Sequence, residues 1–373
     1  MVKVRAAILE EHGGPVRVRT VTLRDPGEGE VLVEMLASGV CHSDLHAVEG
    51  NLPLPVPMVL GHEGVGIVRA TGPKVRRLMP GDRVVLRWVQ PCGECRHCRD
   101  GHVHLCSRSA DTARTGHLLT GDTPFSLDGA PAYPFSMTGT LSEATVVPEE
   151  GAIKIPEEMP IREAAMLGCA VLTGVGAALN TAQVKPGQTV AVFGLGGVGL
   201  NIVQGARIGG ASRIIGVDPI LQRRDLARRL GATHVIDPNH SEPVGSILDM
   251  THGEGADITF EAVGTPETIQ AAFNASARGG LAVIAGVCSP HLEVSLNAFA
   301  FPSQGKAIRG TWYGDTLPER DIPLMHRLYR EGALELRPML GTPMGLDDID
   351  FAFESLVSGR IGRPVISFGP GRD

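Results

Sequence analysis

The run Thr189-Val190-Ala191-Val192-Phe193-Gly194-Leu195-Gly196-Gly197-Val198-Gly199 constrains this chain more than any other segment. An apolar, β-branched stretch predicts a strand, and Gly194, Gly196, Gly197 and Gly199 predict a turn that side chains do not crowd. Leu200 to Ile208 then reads as an apolar helix. A strand, a G-x-G-x-x-G turn and a helix together present free backbone N–H groups and a helix dipole to a diphosphate. Nineteen residues after Gly199, the strand-like run Arg213-Ile214-Ile215-Gly216-Val217 ends in Asp218. A carboxylate there accepts hydrogen bonds from ribose hydroxyls and repels a 2′-phosphate, so NAD is favoured over NADP. Arg223 and Arg224 pull the other way. A glycine-rich turn with a capping Asp is the plain alternative, and the combination of strand, turn, helix and acid argues against it.

The rhythm around this motif extends it into a domain. Apolar strands are expected near 189–193, 213–217, 233–236, 257–260, 281–285 and 307–310, with helical segments between the earlier ones. Six such strands predict a doubly wound parallel sheet. Residues 1 to about 150 read differently. Val31-Leu32-Val33, Val65-Gly66-Ile67-Val68 and Val84-Val85-Leu86 are short strands, separated by turns such as Asp25-Pro26-Gly27 and Pro80-Gly81-Asp82. This part is expected to be an irregular, mostly antiparallel β domain. A last helix is predicted from Asp348 to Ser358, ended by Gly359. The expected division is 1–170, 171–312 and a tail 313–373 returning to the first domain. A chain of 373 residues has room for two or three cores.

The formal charge of −7 argues against nucleic acid or an anionic membrane as main partner. No uninterrupted run reaches the ~18 apolar residues of a membrane span. The longest uncharged stretch, from Ala164, is broken by Gly168, Thr173, Gly174 and Gly176. The N-terminus meets Glu10 and Glu11 early, unlike a secretory signal. A cytoplasmic protein is expected.

Seven cysteines are present, and four of them bunch as Cys92-x2-Cys95-x2-Cys98-x7-Cys106. Thiolates at that spacing wrap one tetrahedral Zn²⁺ and leave no open position, which stabilises a loop (about 90–108). An iron–sulfur cluster and paired disulfides are the alternatives. His97, His102 and His104 are expected to be solvated neighbours. Three further groups are weak one by one: Cys41-His42-Ser43-Asp44-Leu45-His46, Gly61-His62-Glu63-Gly64 and Gly168-Cys169. Spacing alone does not bring positions 41, 62 and 169 together.

In the order and gaps of all these motifs, the whole chain resembles the zinc-dependent medium-chain alcohol dehydrogenases. That resemblance implies a GroES-like catalytic domain around a Rossmann domain. It implies that Cys41, His62 and Cys169 bind a catalytic zinc, and that Cys92, Cys95, Cys98 and Cys106 bind a structural one. Ser43 and His46 fall on the family's proton relay, and Glu63 and Asp44 on carboxylates around the metal. His42, Thr173, Arg223, Val263 and Arg363 fall on cofactor-contacting positions, with His42 where many relatives carry Arg. Two thiolates and an imidazole leave one zinc position open for a substrate oxygen. A homodimer or homotetramer is expected.

For the substrate, the resemblance places Leu52, Trp88 and Val287 along an apolar pocket, with Trp312 reaching in from a partner subunit. Primary alcohols of medium length or with aromatic rings are favoured. The relatives that oxidise hydroxymethyl-glutathione carry an acid and an Arg at what correspond here to Leu52 and Ala110. Trp312-Tyr313-Gly314-Asp315 and Leu317-Pro318-Glu319-Arg320-Asp321 nevertheless look similar to a bacterial branch with mycothiol-dependent formaldehyde dehydrogenases. A thiol-adduct dehydrogenase is therefore the second expectation, and an alcohol:acceptor oxidoreductase holding NADH tightly is another. Cys288 is expected to be a buried core thiol, and 111–138 a long loop near the substrate entrance.

Overall fold

The computed structural model describes residues 1–359 and 362–369. These described residues form two compact units: Met1–Cys169 with Leu317–Arg327 and the segment from Leu340, and Ala170–Thr316 with Leu328–Met339. The chain beyond residue 312 is thus divided between the two.

The first unit is the β-rich domain expected. Strands Val2–Leu9, Val16–Leu23, Phe125–Leu127, Ala130–Pro134 and Met58–Val59 close into a barrel. A second sheet runs in the order Ala152–Lys154, Arg83–Leu86, Glu63–Thr71, Glu30–Gly39, Arg363–Ser367 and Leu340–Met344. Period-2 alternation sets which face is inside. Val31, Val33 and Met35 are buried in one core cluster, whereas Glu34 faces out and pairs with Arg69 across the strand boundary at 2.8 and 3.0 Å. The pairing of Glu30–Gly39 with both Glu63–Thr71 and Arg363–Ser367 brings residues 63 and 363 to its two sides.

The second unit carries a parallel sheet of six strands among the described residues: Thr189–Phe193, Arg213–Val217, His234–Ile236, Ala256–Glu261, Ser276–Ile284 and Ala307–Gly310. Counted in that sequence, their spatial order is third, second, first, fourth, fifth, sixth. This is the Rossmann arrangement, with the reversal of order beside the first strand.

Four expectations need correction. Residues 111–138 are not a loop: helix Ser107–Thr115 covers the start, and a hairpin turning at Asp128-Gly129 supplies two barrel strands. The strands are too short for a periodic pattern, and Asp128-Gly129, both at positive φ, is the local hairpin signal. Cys288 is only half-buried, because the fifth strand ends at Ile284 and Cys288 lies in the irregular chain beyond it. His104 is buried, its ring edge-on to that of His102 at 5.8 Å, rather than solvated. Finally, helical residues Ile161–Thr181 do meet the length and composition of a membrane span, with mean hydropathy 1.5, although 83% of that window is buried. Glycine and threonine interrupt the apolar run without lowering its average enough to matter.

Candidate active site and metal centres

Each of the dispersed groups is delivered by a distinct local device in the first unit. Cys41 is the N-cap of helix His42–Val48, where its backbone N–H donates to Asp44 Oδ2 at 3.0 Å. His62 stands immediately before strand Glu63–Thr71. Gly61 precedes it, and a Cβ there would run into the backbone nitrogen of Leu141. Cys169 lies in a π-helical turn, Leu167–Val171, of a kind frequent at functional sites. The adjacent Gly168 lets that turn approach the strand, since its Cβ would sit 3.3 Å from Glu63 Cα. One ligand atom from each of Cys41, His62, Glu63 and Cys169 lies within 4.8 Å of the others, and all four residues are buried.

The electrostatics around this cluster fit a cation. The hydrogen bond from Cys169 holds the Cys41 thiol well below its ordinary value, whereas the same bond and burial push Cys169 well above. A divalent metal at this point would hold both sulfurs as thiolates. Two sulfurs and an imidazole nitrogen are a zinc donor set. Asp44 Oδ1 accepts from the Gly61 N–H at 2.8 Å, and its Oδ2 lies 3.3 Å from His62 Nδ1 outside strict hydrogen-bond geometry. Burial works against a charge on His62, but Asp44 raises its pKa well above the usual value. With Nδ1 turned to Asp44, Nε2 is the nitrogen available to a metal.

Glu63 is taken by Arg363. The guanidinium donates Nε–H to Oε2 at 3.1 Å and an Nη2–H to Oε1. Burial pushes the Glu63 carboxyl up and Arg363 pulls it down, while Cys41, Glu63 and Cys169 together keep Arg363 firmly charged against its own desolvation. Around His62 stand two aromatic rings, Trp88 at 6.4 Å and Phe135 at 5.4 Å, both edge-on. Phe135 was not singled out in the sequence; it is the first residue of a 3₁₀ turn that no periodicity announces.

The four-cysteine lobe is a second, closed centre. Cys92 Sγ lies 4.0 Å from Cys98 Sγ, and Cys95 Sγ 4.0 Å from Cys106 Sγ, with all four ligand atoms within 4.8 Å of one another. Sulfurs about 2.3 Å from a tetrahedral zinc stand about 3.8 Å apart, so this set needs little adjustment. Backbone N–H groups of Cys95 and Cys92 donate to Cys92 Sγ and Cys106 Sγ at 3.3 and 3.4 Å. The Cys98 N–H and other donors pull the Cys95 thiol down to about 6, and burial pushes Cys98 up to about 12. All seven cysteines are free thiols. The two centres fit two zinc ions.

In the second unit, Gly196 N-caps helix Gly197–Ile208 with no side chain bonded to its first N–H groups, and a Cβ on Gly196 would meet nothing within 4 Å. Open space before an uncapped helix start suits a diphosphate. Asp218 Oδ2 accepts from the Leu195 N–H at 2.9 Å, Oδ1 accepts from Ile220 at 2.8 Å, and Arg223 stands 3.6 Å away. Each carboxylate oxygen keeps a lone pair for a ribose hydroxyl. Thr173 Oγ1 is buried without a hydrogen bond, an atom in want of a ligand. Val263 is 46% exposed.

The remaining expectations separate by unit. Ser43 Oγ lies 3.8 Å from Cys41 Sγ, and His46 follows on the next turn of the same helix, its Nδ1 3.4 Å from Asn51 Nδ2. His42 is exposed. These belong with Leu52, Trp88 and Arg363 to the first unit, whereas Thr173, Val263, Val287 and Trp312 belong to the second.

Comparison with known proteins points the same way. A family profile described as the alcohol dehydrogenase GroES-like domain matches residues 27–157, and one described as zinc-binding dehydrogenase matches 197–331. The S-(hydroxymethyl)glutathione dehydrogenase of Escherichia coli O157:H7 is 39% identical over 369 residues, covering 98% of this chain and 100% of that protein. Among solved structures, benzyl alcohol dehydrogenase from Acinetobacter calcoaceticus aligns with a TM-score of 0.94 at 31% identity, covering 99% of this chain and 100% of that one. An alcohol dehydrogenase zinc-binding domain protein from Burkholderia ambifaria aligns with the same TM-score at 33% identity and the same coverage.

Proposed function

Since the chain belongs to the zinc-dependent medium-chain alcohol dehydrogenases, we propose that it interconverts a primary alcohol, medium-chain or aromatic, and its aldehyde with NAD(H). The observation that carries this reading is the buried convergence of Cys41, His62 and Cys169, with Trp88 and Phe135 edge-on to the imidazole. Bound zinc supplies a Lewis acid for the substrate oxygen, and NAD(H) accepts or gives the hydride.

The protein's own residues do the rest. Cys41, His62 and Cys169 hold the metal, and Asp44 fixes the ring of His62 so that Nε2 points to it. Ser43 Oγ takes the proton leaving the alcohol, and His46 carries it toward solvent from the partly exposed side of the helix. Acid–base help of this type contributes about 10²–10⁴-fold. Arg363 neutralises Glu63 and keeps a positive charge beside two thiolates. Trp88 and Phe135 exclude water from the substrate oxygen and favour planar, apolar substrates. The lobe zinc, held by Cys92, Cys95, Cys98 and Cys106, stabilises its loop. Gly194, Gly196, Gly197, Val198 and Gly199 hold the diphosphate of the cofactor, and Asp218 its adenosine ribose. Six cysteines spent on metal and none in a disulfide suit a reducing, cytoplasmic setting.

One observation favours a second reading, oxidation of a thiol–formaldehyde adduct: the Escherichia coli relative is named for such a substrate. Against it, Leu52 and Ala110 stand where an anionic thiol needs charged anchors. The test is a panel of aliphatic and aromatic alcohols, and formaldehyde with low-molecular-weight thiols, read as NADH absorbance. Benzyl-type alcohols turning over without added thiol support the first reading. Activity that appears only with formaldehyde and a thiol replaces it by the second.

A further inference from the structure

In the parallel sheet of the second unit, the first strand and its glycine turn stand where the strand order reverses. A dinucleotide lies across the carboxyl ends of the strands at such a point. Asp218, immediately after the second strand, marks the adenosine side. The other half of the cofactor then falls over the ends of the fourth and fifth strands.

Glu261 is the last residue of the fourth strand and is fully buried. Its Oε1 accepts three hydrogen bonds, from the N–H of Val263 at 2.8 Å, the N–H of Gly264 at 2.7 Å and the hydroxyl of Thr268 at 2.7 Å. Its Oε2 is buried with no hydrogen bond and lies against the chain after the fifth strand, where a Cβ on Gly286 would be 2.5 Å from it. Gly264, at φ 92°, packs so closely under the Val287 carbonyl that a side chain there would collide with it. On the other side, a Cβ on Gly194 would meet Val263 Cγ2 at 2.6 Å. One carboxylate therefore stands at the junction of the turns following the first, fourth and fifth strands. Burial pushes its carboxyl up against the pull of these donors. Desolvating an acid while leaving one oxygen unpartnered is a cost that filling space does not explain. Fixing the backbone of a ligand site does explain it.

We propose that Glu261 is a positioning residue for the nicotinamide half of the cofactor, fixing the Val263–Gly264 turn and the chain at Gly286–Val287 in the shape that half requires. The inference rests on the NAD(H) reading above. Its test measures equilibrium binding of NADH by fluorescence, and of AMP by calorimetry, for the wild type, Glu261→Ala and Glu261→Gln. AMP occupies only the Asp218 side, so general damage to the sheet weakens both ligands, whereas loss of positioning weakens NADH alone. The expected result is a Kd for NADH raised by about fivefold or more in Glu261→Ala, with AMP changed by less than about twofold. If Glu261→Ala does not fold, the same criterion applies to Glu261→Gln, which keeps one acceptor oxygen and the side-chain volume. A smaller rise for NADH, or equal weakening of AMP, overturns the inference. A wild type that binds AMP but not NADH overturns the cofactor reading first and the inference with it.

Discussion

Gly39 sets the geometry of the Glu63–Arg363 pair. It faces Glu63 across the strand register, and a Cβ on it would run into Glu63 Oε2. Gly39→Ala therefore displaces the carboxylate from Arg363 in a site with no slack. Overpacking of this kind costs about 1–3 kcal/mol, so the expected outcome is a lower melting temperature and loss of turnover together. Unchanged calorimetry and kinetics would show that the strand pair yields freely. His46→Ala is a contrasting case. It removes the proposed relay group from a partly exposed position and leaves the buried cluster of Cys41, His62 and Cys169 alone. Metal content is expected to stay the same while turnover falls by about 10²-fold or more; steady-state kinetics beside metal analysis checks both.

Buried carboxylates, beside apolar packing, tie elements to one another. Glu149, in the 3₁₀ turn Glu149–Gly151, accepts N–H bonds from Arg76 at 3.0 Å, from Leu78 at 3.1 Å and from Arg77 between them. Burial opposes its charge, but these donors hold its pKa below the ordinary value. A depressed carboxyl contributes stability that is complete above the unfolded pKa of about 4.3 and is lost as pH falls through the folded one. Glu149→Gln is expected to be less stable by about 1.5–3 kcal/mol at pH 7. The gap should close in denaturant titrations as pH falls below that of an unperturbed carboxyl. A gap independent of pH would mean that shape, not charge, holds the loop.

For the molecule as a whole, the sheet of the second unit was legible because each strand is a short apolar run bounded by glycine or a polar turn. Thr189–Phe193, Arg213–Val217 and Ala307–Gly310 lie where the sequence places them. The fifth strand starts at Ser276, earlier than expected: Ser276 pairs with Ala256, and residues 277–280, with Gly279 at φ 70°, bulge out before pairing resumes at Leu281. The barrel hairpin was hidden by strands of three and five residues, too short to show a period. In the first unit, the four lobe cysteines declare themselves by spacing. Cys41, His62 and Cys169 do not, since an N-cap, a strand entrance and a π-helical turn have no common pattern in one dimension. Family resemblance supplied that grouping, and the fold gives its physical basis in Gly61 and Gly168. The pairing of Glu63 with Arg363 was not foreseen, because a strand from the far end of the chain delivers one partner.

The most direct measurement is zinc content set beside turnover for the wild type and Cys169→Ser. The account predicts two zincs per chain with active wild type, and one zinc with turnover abolished in a folded Cys169→Ser that keeps the lobe ion. A Cys169→Ser protein that retains both ions, or metal-free wild type that oxidises alcohol at the full rate, would contradict it.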